Sequence, residues 1–178
     1  MKPIEYIKEN NLKPVVGISG GKDSTATCLY LYDLGFKRDE IIRVFIDVGW
    51  EHPATYNYIN ELEKYLGSIT TIKEQISIPE EHKDFCLQIE KELGRESPFI
   101  RQTLKDLLFP NHFRKWCTRV LKIKPLKKFL GSLEDDPVNI NGVRRQESLK
   151  RSKRKEFDFW DHLDSYVWSP MIVTGKLF

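Results

Sequence analysis

The stretch that decides the fold is Ser19-Gly20-Gly21-Lys22-Asp23-Ser24. It follows an apolar segment rich in β-branched residues, PVVGI at residues 14–18, and precedes ATCLYLY at residues 26–32, whose apolar positions suit a helix. The sequence therefore predicts a buried strand, a tight glycine turn and a helix in succession. A turn of this kind directs several backbone N–H groups and the positive end of a helix dipole at one point, which is the geometry that binds a phosphate.

The residue types within the turn favour the same ligand. Gly20 and Gly21 let the backbone approach an anion without an intervening Cβ. Ser19 and Ser24 add hydroxyl donors, and Lys22 adds a mobile positive charge. Together these residues predict a site for phosphate groups.

The turn differs from the common P-loop. That motif needs a glycine five residues before its Gly-Lys pair and a serine or threonine after the lysine. In this chain those positions hold Val16 and Asp23. An ordinary glycine turn capped by serines is the alternative interpretation of the same residues, and the turn alone leaves it open.

Composition indicates one globular domain spanning residues 1–178, with 40% hydrophobic and 31% charged residues. No run approaches the roughly 20 apolar residues of a membrane span, and residues 1–6 lack the apolar segment of a signal peptide. We therefore expect a cytoplasmic protein that does not interact with membranes. The three cysteines (Cys28, Cys86 and Cys117) form no Cys-x-x-Cys pair and are expected to be reduced thiols.

The positive charges are unevenly distributed, although the net charge is only +3. Residues 113–128 contain seven Lys and Arg and no acid, and residues 142–155 contain seven more against Glu147 alone. A solvated charged face is the ordinary explanation of such runs. Two runs in one half of a nearly neutral chain favour a polyanionic ligand, either phosphates or nucleic acid.

The remaining patterns predict strands that alternate with helices. The predicted strands are 14–18, 41–47, 69–78, 138–141 and 166–168. The predicted helices are 3–10, a helix from the glycine turn to about residue 34, 53–66, 79–93, 99–108 and 116–130. Pro125 is expected to interrupt or restart the last helix. Residues 150–160 are expected to form a flexible basic loop, with an irregular helix as the alternative for the basic stretch up to Lys155. This order predicts an α/β domain with a doubly wound, mostly parallel sheet of about five strands and helices on both faces.

The turn resembles the Ser-Gly-Gly-x-Asp-Ser signature of the PP-loop ATP pyrophosphatases, which are adenine nucleotide α-hydrolase-like enzymes. Three later segments resemble the phosphoadenosine phosphosulfate (PAPS) reductase branch of that superfamily. DVGWEHPAT at 47–55 is similar to Asp-Thr-Gly-x-x-x-Pro-Glu-Thr, RKWCTRVLKIKPL at 114–126 to Arg-x-Cys-Cys-x-x-x-Lys-x-x-Pro-Leu, and GVRRQESLKR at 142–151 to Gly-Ile-Arg-x-x-Glu-Ser-x-x-Arg. The matches run in family order through WSP at 168–170, so the resemblance covers most of the chain.

The resemblance implies a site made from two sets of residues. The expected nucleotide-binding residues are Ser19, Gly20, Gly21, Lys22, Asp23, Ser24, Asp47 and Gly142. The expected residues for a second anionic group are Arg119, Lys122, Arg144 and Arg151. Lys22, Asp23 and Arg144 are the candidates for catalysis.

Physical roles can be assigned to some of these side chains. Asp47, at a predicted strand end, can accept a hydrogen bond from a ribose hydroxyl or bind Mg²⁺, or it can cap the following helix. Arg144 and Arg151 can hold a phosphate or sulfate through paired hydrogen bonds, which a lysine cannot do. For Lys122, a lysine on a basic surface is an equally acceptable interpretation.

Cys117 lies where the reductase branch can carry a Cys-Cys pair that, with a later pair, holds an iron–sulfur cluster. Here Trp116 replaces one partner and no later cysteine follows, so no cluster is expected. A lone cysteine among cations can be a reactive thiolate, but the favoured interpretation is a small packed apolar residue.

The expected reaction follows from the same resemblance. Thioredoxin-dependent PAPS reductases carry their nucleophile in a C-terminal Glu-Cys-Gly-x-His motif, which this sequence lacks before it ends at Phe178. The first hypothesis is therefore an enzyme that binds ATP (or PAPS) with Mg²⁺. It would cleave ATP between the α and β phosphates and adenylate an acceptor in sulfur-related or nucleic-acid-modification chemistry.

Two alternatives remain open. One is a reductase-like protein that binds PAPS or adenylyl sulfate as a remnant, or as a subunit completed by a protein partner or a homodimer. The other is a nucleic-acid-binding module whose glycine turn holds backbone phosphate.

Overall fold

The computed structural model describes residues 2–111 and 113–174, and its centre is a six-stranded sheet in the order β3-β2-β1-β4-β6-β5. The strands are β1 Lys13–Gly17, β2 Ile42–Ile46, β3 Ile69–Ile72, β4 Pro137–Ile140, β5 Phe157–Trp160 and β6 Ser165–Trp168. All neighbouring strands are parallel except β5, which pairs antiparallel with β6. The doubly wound, mostly parallel α/β fold predicted from the sequence is confirmed.

Helices cover the sheet and its carboxyl edge. They are α1 Pro3–Glu9, α2 Lys22–Asp33, α3 Pro53–Leu66, α4 Lys83–Leu93, α5 Pro98–Asp106, α6 Trp116–Thr118, α7 Lys124–Leu130, α8 Leu149–Ser152 and α9 Met171–Thr174. A π-helical turn, Arg119–Ile123, joins α6 to α7, and 3₁₀ turns lie at Glu80–His82 and Arg145–Glu147. No helix within the described ranges is both long and apolar enough to cross a membrane.

Successive residues of β1 show how the two faces of the sheet are covered. Val16 points into a core formed with α1, α2 and α3, whereas Val15 packs with Leu130 of α7 on the other face. Both valines are fully buried, as a central parallel strand requires. A third apolar cluster connects α4, α5 and α6 to Val48, just after β2.

The strand order creates a crevice at one place. From β1 the chain moves outward through α2 to β2 and through α3 to β3, and then returns to place β4 on the opposite side of β1. In open α/β sheets, ligands bind outside the carboxyl ends of the strands at such a switch point. The crevice therefore lies where β1 and β4 end.

Two sequence-based expectations about the elements were wrong, and a third was confirmed. The helix restarts near Pro125 as expected, because α7 begins at Lys124 after the π turn and Pro125 lies in its first turn, where its missing N–H is not required. Residues 150–160 are not a loop, since they include the end of α8 and all of β5. The predicted strand 69–78 ends at Ile72.

The strand β5 exists because its aromatic residues pack on β6. Phe157 stacks on Tyr166 with ring centroids 5.2 Å apart, and Phe159 meets the same tyrosine edge-on at 5.3 Å. This pairing adds a sixth strand to the roughly five expected.

Candidate nucleotide site

The glycine turn between β1 and α2 is held in shape by its own serines. Ser24 is buried, and its hydroxyl accepts a hydrogen bond from the Ser19 N–H at 3.1 Å and donates one to the Gly21 carbonyl at 2.9 Å. The Ser19 and Ser24 hydroxyl oxygens lie 3.2 Å apart. Because these bonds fix the backbone before any ligand arrives, the turn is preorganised.

The turn presents the start of α2 to the crevice. Gly20 has a φ of +74°, which favours glycine, and a Cβ there would lie 3.4 Å from Thr55. Gly21 is the N-cap and provides no side-chain cap. The first intrahelical bond is the one that the Thr25 N–H donates to the Gly21 carbonyl at 3.2 Å. The N–H groups of residues 22–24 therefore have no acceptor within the helix. This end of α2 is suited to bind an anion.

We expect Ser24→Ala to destabilise the fold by about 1 to 2 kcal/mol, because it leaves the Ser19 N–H without its buried acceptor. Urea denaturation measures this loss. The matched control is Ser132→Ala, which removes an exposed hydroxyl bonded to the Phe129 carbonyl and should cost little. Equal denaturation midpoints for the two variants would show that the serine network does not support the turn.

Gly142 brings the end of β4 against the start of α2. A Cβ at this position would lie 2.6 Å from the Asp23 carbonyl oxygen and 3.0 Å from the Ser24 nitrogen. Asn141 fixes the approach, since its Oδ1 accepts hydrogen bonds from the Val143 N–H at 3.2 Å and the Ser169 hydroxyl at 2.8 Å. The resemblance to the family motif singled out Gly142, but it did not indicate the role of Asn141.

A cleft of about 320 Å³ opens at this switch point, a size suited to a small ligand. Its walls come from the glycine turn, the end of β2 and the segment after β4, and they include Ser19, Gly21, Asp23, Ser24, Glu51, Lys122, Gly142, Glu147 and Arg151. Lys122 and Arg151, two of the residues expected to bind a second anion, thus share one cleft with the turn. Arg119 instead lines two other clefts.

The arginines at the cleft are linked to carboxylates. Arg144 Nη2 lies 3.1 Å from Asp23 Oδ2, which ties the segment after β4 to the first turn of α2. Arg144 Nε is buried and has no hydrogen-bond partner among the described residues, although Glu147 lies 3.9 Å from it. Glu147 also pairs with Arg151. One carboxylate therefore orients both arginines.

Asp47 lies just beyond β2, where its Oδ1 accepts hydrogen bonds from the Gly49 N–H at 2.8 Å and the Tyr56 hydroxyl at 2.7 Å. The capping alternative was wrong, because His52 caps α3 through its Nδ1, which accepts from the Ala54 N–H. Burial and, secondarily, the bond to Asp47 raise the pKa of Tyr56. Asp47 therefore shapes the loop after β2.

That loop is also supported from outside by residues that no sequence motif singled out. Gly49 has a φ of +72°, and a Cβ there would lie 2.6 Å from Ser97 Cα. The Ser97 N–H donates to Glu90 Oε1 at 2.7 Å, and Glu90 forms two bonds with Arg101, at 2.8 and 2.9 Å. Gly49 and Ser97 lie far apart along the chain, so no local pattern reveals their contact.

The cysteines do not come together in the described structure. Cys28 and Cys86 are buried, and burial raises the pKa of both thiols. Cys117 is partly exposed and packs beside the cluster that contains Trp116. Within residues 2–111 and 113–174, no three His, Cys, Asp or Glu side chains are grouped so that they could hold a metal ion.

Comparisons with known proteins agree with the fold. The family model of the phosphoadenosine phosphosulfate reductase domain matches residues 13–173. A solved structure of PAPS reductase from Candida auris, in complex with phosphate, superposes with a TM-score of 0.59 and 13% identity, covering 94% of this chain and 69% of that one. At this identity the likeness concerns the fold.

Several relatives in sequence are longer proteins. An uncharacterized protein of Methanocaldococcus jannaschii is 31% identical over 170 residues, which cover 92% of this chain and 29% of the relative. An uncharacterized 37.8 kDa protein of Escherichia phage 186 is 29% identical, over 78% of this chain and 49% of its own length. The chain thus spans less than half the length of these two relatives. From the family model and the fold together, the chain belongs to the phosphoadenosine phosphosulfate reductase domain family, within the adenine nucleotide α-hydrolase-like superfamily.

Proposed function

We propose that the cleft where β1 and β4 end binds an adenine nucleotide, and that the protein cleaves ATP between its α and β phosphates to adenylate an acceptor. One observation carries this proposal. The uncapped start of α2, held by the Ser19–Ser24 hydrogen bonds, lies at a cleft of about 320 Å³ at the switch point of the sheet.

The chemistry requires little from the protein beyond positioning and charge. A nucleophilic atom of the acceptor attacks the α phosphorus, the bond from that phosphorus to the α–β bridging oxygen breaks, and pyrophosphate leaves while the acceptor's proton passes to solvent. The backbone N–H groups of the turn and the exposed Lys22 bind the leaving pyrophosphate. Such preorganised donors stabilise charge that develops on the leaving group.

Arg144 is the second candidate for charge stabilisation. Its Nη2 is oriented by Asp23, and its buried Nε is a donor without a hydrogen-bond partner in the described structure. A donor in that state favours an anionic ligand. In this proposal Asp23 acts as a positioning residue, because its carboxylate holds Arg144 beside the first turn of α2.

The described residues do not themselves form a Mg²⁺ site. Asp47, the carboxylate expected to take that role, already uses Oδ1 for Gly49 and Tyr56, and no metal-binding group of three side chains is present in the described ranges. Mg²⁺ is usually bound largely through the phosphates of its nucleotide. We therefore treat it as part of the substrate, MgATP, and assign no step to a metal held by the protein.

The acceptor belongs to sulfur-related or nucleic-acid-modification chemistry in this proposal. Since the chain spans only part of its relatives, a protein partner, a second copy or a further domain can present the acceptor to the cleft. We expect the reaction to take place in the cytoplasm, where ATP is available and thiols stay reduced.

A second candidate function is binding of PAPS or adenylyl sulfate without ATP cleavage. The observation that favours it is the presence of Lys122 and Arg151 in the same cleft as the glycine turn, because a sulfonucleotide carries additional anionic groups beyond its adenylate. The family and the PAPS reductase fold agree with this candidate.

Pyrophosphate release from MgATP tests the first function. We expect Lys22→Ala to lower the release rate about a hundredfold, as expected for removing one donor that stabilises the transition state. The control is Lys37→Ala, which removes an exposed lysine that follows α2 and lies outside the glycine turn. Equal rates for both variants would refute the assigned role of Lys22. PAPS binding without any ATP turnover would favour the second function.

A further inference from the structure

The helical segment formed by α6, the π turn and α7, together with the residues just before it, carries a cluster of exposed cations. All seven Lys and Arg residues of positions 113–128 are exposed. In the described part of the chain, Lys124 is the one member of this set with a carboxylate within ion-pair distance, Glu74 at 2.6 Å. The other charges are therefore available to a polyanion.

Six of these cations, all except Lys122, line two clefts outside the nucleotide site. One cleft contains Arg114, Lys115 and Arg119, and the other contains Arg119, Lys124, Lys127, Lys128 and His162. Because Arg119 lines both clefts, they are neighbours, and a strand that follows the helical segment would pass both along one path. At the helical rise of 1.5 Å per residue, residues 116–130 extend over about 22 Å.

Aromatic side chains lie at both ends of this path. Phe113 is 94% exposed and lines the first cleft, and Phe109, 60% exposed, packs edge-on against Phe99 beside it. At the other end, His162 stacks at a tilt on Trp160 with ring centroids 5.0 Å apart, and the Arg154 guanidinium lies 4.8 Å above the same tryptophan. Cations interleaved with accessible rings are characteristic of surfaces that bind single strands.

We propose that this surface, defined by Arg114, Lys115, Arg119, Lys127 and Lys128 and called the basic helix face, binds single-stranded nucleic acid. The cations contact the phosphates along the path, and the aromatic residues at its ends stack against unpaired bases. This proposal goes beyond the proposed nucleotide chemistry and does not depend on it. A merely solvated charged face would show neither sequence-independent strand binding nor a contribution from stacking.

Fluorescence anisotropy with labelled, unstructured DNA and RNA oligonucleotides tests the charges. The variant Arg114→Ser/Lys127→Ser/Lys128→Ser should bind at least about tenfold more weakly, and its slope of log affinity against log salt should fall by about 2, since each lost phosphate contact accounts for roughly 0.7 on single strands. The matched control, Lys37→Ser/Arg38→Ser/Lys91→Ser, removes the same charge from exposed positions elsewhere. Equal loss in both variants, or no binding by the unaltered protein, overturns the proposal.

The stacking component has its own test. Phe113→Ala should weaken the binding of single strands roughly tenfold. Its effect on the binding of duplex DNA should be smaller, and heparin, which has no bases, should bind as before. The proposal is overturned if heparin or duplex DNA binds as tightly as single strands do and Phe113→Ala leaves the affinity for single strands unchanged. The surface would then be a general polyanion site. Lys22→Ala should retain full oligonucleotide affinity. If it does not, the glycine turn holds the strand, and the basic helix face is not the binding surface.

Discussion

Gly142→Ala should abolish nucleotide binding while the chain remains folded. The added Cβ would lie 2.6 Å from the Asp23 carbonyl oxygen, 2.7 Å from its carbon and 3.0 Å from the Ser24 nitrogen. All three atoms belong to the backbone, so no change of rotamer relieves the contact. Either the segment after β4 or the first turn of α2 must move, and both are walls of the cleft.

The size of the effect follows from the precision that such a site needs. A displacement on the order of 1 Å can lower a positioned reaction about a hundredfold, and we expect the dissociation constant for ATP to rise by at least that factor. Isothermal titration gives the dissociation constant, and urea denaturation shows whether the variant is folded.

Gly131→Ala is the matched control for Gly142→Ala. Gly131 has a φ of −72°, which alanine readily adopts, and the nearest atom to its added Cβ, the Lys127 carbonyl oxygen, lies at 3.4 Å. This variant should bind nucleotide as the unaltered protein does. If Gly142→Ala binds as tightly as Gly131→Ala, the close approach of β4 to α2 is not required by the site.

Glu90→Ala should lower the free energy of unfolding by about 3 to 5 kcal/mol, the usual effect of removing one partner of a buried ion pair. The Glu90 and Arg101 side chains are 8% and 13% exposed, and hydrogen bonding to Glu90 raises the pKa of Arg101. The variant leaves this guanidinium without its main partner. It also removes the acceptor of the Ser97 N–H, so the loop after β2 loses support.

Urea denaturation of three variants separates the ion pair from general packing. Glu61→Ala breaks an exposed pair with Lys64 and should cost less than about 1 kcal/mol. The double variant Glu90→Leu/Arg101→Met should be less destabilised than Glu90→Ala, since it leaves no buried charge unpaired. A double variant as unstable as Glu90→Ala would show that the charge left behind is not the cause.

The sequence predicted the parts of the molecule that local patterns determine. The apolar segment at 14–18, the glycine turn and the following helix were placed correctly because each is determined by neighbouring residues. The doubly wound sheet followed from strands that alternate with helices. In both cases the physical signal lies within a few residues of the element that it predicts.

Two features were missed because no residue pattern predicts them. β5 forms because Phe157 and Phe159 pack on Tyr166 of the next strand, whereas its own neighbourhood is dominated by basic residues. The π turn at Arg119–Ile123 lies within a segment whose pattern predicts an ordinary helix, and only the restart near Pro125 was predicted.

The candidate site also combines residues that the sequence motifs predicted with residues that they did not. Ser19, Gly21, Asp23 and Ser24 of the turn meet Gly142, Lys122 and Arg151 at one cleft, as expected from the family motifs. Lys22, Asp47 and Arg144 are not among the residues that line this cleft. Arg119 lines other clefts. The support from Glu90 and Arg101 depends on packing between α4 and α5, which sequence spacing does not specify.

Isothermal titration of the protein with MgATP, PAPS and adenylyl sulfate tests the central claim most directly. The account predicts that at least one of these adenine nucleotides binds at one site per chain, and that Lys22→Ala and Gly142→Ala remove the binding heat while Gly131→Ala retains it. The account would be contradicted if none of the three nucleotides bound, or if binding persisted unchanged in both site variants.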